Sequence, residues 1–232
     1  MHGSPQSTAI QDDPQARALL QGASAQSYKL PRGFTGFTAR VVAQIEDQQS
    51  QGDVTIYTPR HVQVRLLDST TQLWVERELQ SMIGHRWPTP FEERDGRYVL
   101  TMDTTPHPLG TRIDLHGDPL QSYYRVHDGH ITQVYRVIGE QCFTIQIIAT
   151  HSLPDGRSVP THFTVVFRDH RTQRIISSST YSDQYTSVGN CWLPRSRRVL
   201  SNDSNGNHAY ELHLSNHRLL DASPEVGIAR QV

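Results

Sequence analysis

The chain has 232 residues, enough for one large all-β domain with a sizeable core. With 22 basic and 23 acidic residues its formal net charge is -1, so no global field argues for nucleic acid or for anionic lipid. Apolar residues make up 35% of it, and no window approaches the ~20 apolar residues of a helical bilayer span.

In chain order, residues 1–12 are polar and read as a flexible segment. They have neither the basic start nor the apolar run of a secretory leader, so a cytoplasmic location is expected. Asp13 can cap and Pro14 can open a helix over residues 13–25, with Leu19, Leu20 and Ala23 at helical spacing. Phe37, Ala39, Val41, Ala43 and Ile45 then alternate onto one face of a strand. The polar run from Gln48 to Asp53 reads as a turn, and strands follow over 54–58 and 62–66, on either side of Pro59. From Asp68 the period changes: Leu73, Trp74, Val75, Leu79, Met82 and Ile83 predict a second helix over 69–84, capped by Asp68 or Ser69 and ended by Gly84. Residues 86–96 and 103–110 are loops on either side of a strand over 97–102, and 111–116 is a short strand.

From residue 121 the pattern is a meander. Asp128-Gly129, Gly139-Glu140 and Asp155-Gly156 separate strands over 122–127, 130–138, 141–150 and 161–169. Residues 174–185, 191–200 and 208–214 continue it, and 221–232 read as a C-terminal tail. The expectation is a mainly β (α+β) domain over 13–220. It is one curved antiparallel sheet of about ten strands, an open half-barrel with both helices on its concave side.

Two stretches carry a resemblance. One is residues 16–30 followed by Gly33-Phe-Thr-Gly-Phe-Thr-Ala; the other is residues 124–136, continuing to Val188-Gly-Asn-Cys-Trp-Leu-Pro. Together, over roughly residues 14–220, they resemble a domain-of-unknown-function family of cyanobacteria and plastids. The Val-Gly-x-x-Trp-Leu-Pro element is also similar to one in lipoprotein carriers of the LolA type. The resemblance implies an open β-barrel that shelters acyl chains, and it supplies no catalytic residues. The chain departs from it in the helix exit Ala-Gln-Ser-Tyr-Lys-Leu and in Gly189-Asn190, where the family has Gly-Gly.

No catalytic motif interrupts the strands. His127 and His130 flank a tight turn and read as exposed, and His213 and His217 sit four apart on a strand rather than a helix, so no metal is expected. Cys142 and Cys191 read as two free, half-buried thiols. Arg195, Arg197 and Arg198 form a basic run, with Arg195 and Arg197 on one strand face. It is either a charged strand edge or, through Arg195, a headgroup contact.

The apolar face weighs most. Tyr124, Val126, Phe143, Ile145, Ile147, Phe163, Val165 and Phe167 occupy alternate positions of adjacent strands and should line one side of the sheet. A packed core and a dry pocket use the same side chains, so both readings stand. The sequence-based choice is a non-catalytic binding or carrier module for an apolar small molecule such as a lipid, pigment or isoprenoid, with no cofactor and no nucleic acid. Loops 86–96 and 103–110 would gate it, with Trp74 and Trp87 as lid residues. A peripheral membrane contact fits the same reading. The alternatives are an enzyme using that pocket and an assembly protein without a ligand.

Overall fold

A computed structural model of the chain describes residues 10–221. The tail expected over 221–232, apart from Asp221, and most of the N-terminal segment expected over 1–12 lie outside the described residues. The described chain is mainly β: two helices and twelve strands. The strands are β1 (Phe37–Ile45), β2 (Gln48–Thr58), β3 (His61–Arg65), β4 (Val99–Asp103), β5 (Thr111–His116) and β6 (Tyr123–His127). The second six are β7 (His130–Ile138), β8 (Gln141–Ser152), β9 (Ser158–Asp169), β10 (Ile175–Val188), β11 (Cys191–Asp203) and β12 (Gly206–Leu219). They form one open sheet in the order β3-β2-β1-β12-β11-β10-β9-β8-β7-β6-β5-β4. The expected count of about ten falls short by two. The polar run at Gln48 is strand rather than turn: Ile45 pairs with Gln48, and the reversal is made by Glu46, at φ 52, and Asp47.

Contacts sort the chain into two units. Of the described residues, the first holds 10–28, 89–183 and 197–210; the second holds 29–88, 184–196 and 211–221.

In the first unit, helix α1 (Pro14–Gln26) is capped by Asp13, whose carboxylate accepts from the backbone of Gln15 at 2.8 Å. Ala16, Leu20 and Ala23, at i, i+4 and i+7, are buried, and the two alanines let the helix sit close on β4, β6 and β7. Its start is tied down. Arg17 donates to Asp12 and to the carbonyls of Gly96 and Tyr98, and Asp12 accepts from the backbone of Leu100 at 2.8 Å. The core joins Ala16, Leu20 and Ala23 to Leu100, Ile113, Leu115, Tyr124 and Val126.

In the second unit, helix α2 (Ser69–Gly84) is capped by Asp68, which accepts from Thr71 at 2.6 Å. Its buried stripe is Thr71, Val75, Leu79, Met82 and Ile83. Leu73, expected on that stripe, is exposed, because at 100° per residue it falls off the 71/75/79/82 line. The helix packs on β1, β2 and β3, where Phe37, Ala39, Val41, Val54, Ile56, Val62 and Val64 are buried. Pro194 lies within β11, and its carbonyl accepts from His217 at 2.8 Å, with the imidazole against Phe37 at 5.6 Å between centroids.

Burial lowers the pKa of His217 from 6.5, opposed by its bond to Pro194. The unfolded chain therefore binds the proton more readily, and this site loses stability as pH falls below the ordinary histidine value of 6.5. Chemical denaturation at stepped pH should show a steeper loss on acidification for the native chain than for His217→Asn. Parallel profiles would contradict that assignment.

Candidate functional site: an apolar strip bounded by two arginines

Strand register decides which side chains share a face, because directly paired residues point the same way. Tyr124 pairs with Ile113 and Val134, Val134 with Ile145, and Ile145 with Val165. Phe143 pairs with Phe167, and Ile147 with Phe163, which in turn pairs with Tyr181. All eight apolar positions expected from the sequence, from Tyr124 to Phe167, therefore lie on one face within the first unit.

That face has two parts. Over β4 to β7 it is roofed by α1, and Tyr124 and Val126 are buried there. Over β8 and β9 the six remaining residues, Phe143, Ile145, Ile147, Phe163, Val165 and Phe167, are only half-buried. Phe143 meets Phe167 at 5.3 Å between centroids, and Phe163 stacks on Tyr181 at 4.7 Å. The opposite face is mixed: Val137, Cys142 and Val166 share it with Gln133, Gln146 and Thr164. Tyr123 stacks on Tyr135 at 4.7 Å there, and Arg112 lies over Tyr123 while pairing with Asp114.

Each end of the strip carries an arginine. At one end Arg197 is 4% exposed and Asp183 2%; they join by two hydrogen bonds of 2.8 and 2.6 Å. The guanidinium lies 5.0 Å from the Tyr181 ring centre and 5.7 Å from that of Phe163. At the other end Arg136 pairs across the ladder with Phe143. Its Nη2 donates to the Tyr124 hydroxyl at 2.8 Å, and that hydroxyl donates to Asp95 at 3.0 Å. Burial pushes Tyr124 up to about 12, so its proton stays on at neutral pH and the group relays a hydrogen bond rather than acting as a base.

The remaining expected positions lie elsewhere. Trp74 is half-buried on α2 and Arg195 is exposed on β11, both in the second unit. Arg195 and Arg197 are expected on one strand face, yet one is exposed and the other buried, because the alternation breaks at Leu193-Pro194 and again at Ser196-Arg197. Nor is this run a sheet edge: β11 lies between β12 and β10. Trp87 packs edge-on to Phe34 at 6.2 Å. Of the expected gates, residues 89–96 and 103–110 fall in the first unit, whereas 86–88 fall in the second. Phe91 and Tyr98 pack on the α1 core, and the carbonyls of Leu109 and Gly110 accept from Thr132 and Arg125. Gly110 has φ 88, and a Cβ there would stand 2.1 Å from the Val126 carbonyl, so no larger residue fits.

His127 and His130 face each other across a turn whose central residues, Asp128 and Gly129, both have positive φ; both histidines are exposed. Cys142 and Cys191 are free, and both are fully buried rather than half-buried. Among the described residues no group of three or more His, Cys, Asp or Glu is placed to hold a metal, and no helix is long and apolar enough to cross a membrane.

Among known proteins, the family described as protein of unknown function (DUF3386) matches residues 11–220. No curated protein matches the chain. Among solved structures, it is similar to a putative outer membrane lipoprotein-sorting protein domain from Vibrio parahaemolyticus: 11% identity, 91% of this chain, 94% of that one, TM-score 0.35. It is also similar to a LolA superfamily protein from Nitrosomonas europaea: 12% identity, 89% and 94% covered, TM-score 0.29. A third similarity is to the MucA/MucB complex of Pseudomonas aeruginosa: 10% identity, 90% and 100% covered, TM-score 0.22.

Proposed function

The chain belongs to the family described as protein of unknown function (DUF3386), and we propose that it is a non-catalytic binding or carrier protein for an apolar small molecule of the lipid, pigment or isoprenoid class. One observation carries the reading. Six large apolar side chains share one face of β8 and β9 by register, yet none is buried to the degree of the core beside them. A patch of that composition is stabilised by whatever covers it, at ~25 cal/mol per Å² of apolar surface removed from water. Neutral, aromatic-rich lining suits a hydrocarbon or polyene ligand. Burial pushes the Tyr124 hydroxyl up to about 12, so it keeps its proton at neutral pH.

Gentle purification followed by organic extraction and mass spectrometry tests this. A stoichiometric apolar compound in the extract, with rebinding to the stripped protein, is the expected result. No compound in the extract and no uptake of apolar probes by the stripped protein would contradict it.

A further inference from the structure

The two arginines on the apolar face differ in one respect. Arg197 is matched by the Asp183 carboxylate. Arg136 makes one hydrogen bond, to a neutral tyrosine hydroxyl, and no ion pair among the described residues. Its Nε is buried without a partner. The two nearby carboxylates are occupied: Asp95 accepts from Tyr124, and Asp118 accepts from the backbone N–H groups of Leu120 and Ser122 at 3.1 and 3.0 Å. Arg136 is half-buried, and a guanidinium with a buried, unpaired N–H is costly in a folded protein unless something completes it.

Its position says what. Arg136 stands directly opposite Phe143, which is opposite Phe167. From that row the strip runs through Ile145 and Val165 to Ile147 and Phe163, four residues or ~14 Å along the strands. Ser177 and Ser179 border the track opposite Phe167 and Val165, and Arg197 at its other end is neutralised by Asp183, so among the described residues Arg136 is the guanidinium on this face without a carboxylate partner; such a donor at one end of a half-open apolar track orients an amphipathic chain.

We propose that Arg136 is the headgroup anchor of the apolar site, and that the ligand is a long-chain acyl compound. Its carbonyl or carboxylate oxygen accepts from the Arg136 guanidinium, and its hydrocarbon chain lies along Phe143, Phe167, Ile145, Val165, Ile147 and Phe163. This deepens the carrier reading and rests on it. A free carboxylate and an acyl ester share the required chemistry, an sp² oxygen at the head. Arg136 is then retained for the ligand rather than for the fold.

The test uses the full chain, stripped of bound lipid, and displacement of N-phenyl-1-naphthylamine by dodecanoate, methyl dodecanoate and dodecane. For the native protein at least one acyl compound should displace the probe at about tenfold lower concentration than dodecane, as one charge-assisted hydrogen bond supplies. Preference for the acid assigns a free carboxylate head, and preference for the ester assigns an acyl ester. In Arg136→Met the advantage over dodecane should vanish with dodecane itself unchanged, and the ligand-free variant should melt no lower than the native protein. Arg136→Lys, which keeps a donor, should restore part of the advantage. An acyl preference absent from the native protein, or surviving in Arg136→Met, overturns the anchor while leaving the carrier reading intact. Failure of all three compounds to displace the probe would remove both.

Discussion

Asp183→Ala should lower the stability of the fold by ~3–5 kcal/mol, read as a drop in the denaturation midpoint at unchanged slope. Asp183 is 2% exposed and spends both carboxylate oxygens on Arg197. Without it, a guanidinium that is 4% exposed keeps its charge in the interior, against the rings of Tyr181 and Phe163. Removing both charges together is a different case. Asp183→Leu with Arg197→Met takes away the attraction and the desolvation cost at once, so the double variant should recover most of the loss. Equal destabilisation of single and double variants would show that the pair is held for its packing rather than for its charges.

The largest effect on binding is expected at Val165→Asp. Val165 sits in the middle row of the strip, opposite Ile145, and is half-buried. In the ligand-free protein an aspartate there keeps much of its water, so the fold should lose only ~1 kcal/mol. A hydrocarbon chain laid over it would have to strip that water from a carboxylate without supplying a partner, at several kcal/mol. Affinity for an apolar probe should therefore fall by at least about a hundredfold. The core at Leu20 gives the contrast: Leu20→Ala, fully buried under α1, should cost ~2–5 kcal/mol of stability. If Val165→Asp unfolds the protein as readily as Leu20→Ala does, residues 163–167 are ordinary core and not a site.

Much of this was written in the sequence as periodicity. The alternation of Phe143, Ile145 and Ile147 and of Phe163, Val165 and Phe167 names the apolar face, and the change to threes and fours after Asp68 gives α2 its span of Ser69–Gly84. The run from Gln48 to Asp53 did not read as strand, because its exposed polar residues carry no alternation to detect. The partnership of Asp183 with Arg197 was hidden for another reason. It joins positions fourteen apart on different strands, and the neighbouring Arg195 and Arg198 make Arg197 look like part of a surface run.

Arg136 was hidden by register. Counting across the Asp128-Gly129 turn pairs His127 with His130 and would place Gln133 opposite Tyr124. The ladder slips by one residue between Arg125 and Val126, so Val134 takes that position and every side chain beyond changes face. Counting back from the Gly139-Glu140 turn meets no such slip and sets Arg136 opposite Phe143, on the apolar side. That was the signal available, and only one of the two hairpins carries it.

Methyl-detected NMR of the stripped protein, titrated with an acyl ligand, tests the central claim most directly. The account predicts that the methyl signals of Ile145, Ile147, Val165 and Val134 move in proportion to occupancy, while those of Val41, Val54 and Leu79, buried in the second unit, stay in place. Shifts confined to those buried methyls, or no shifts at saturating ligand, would contradict it.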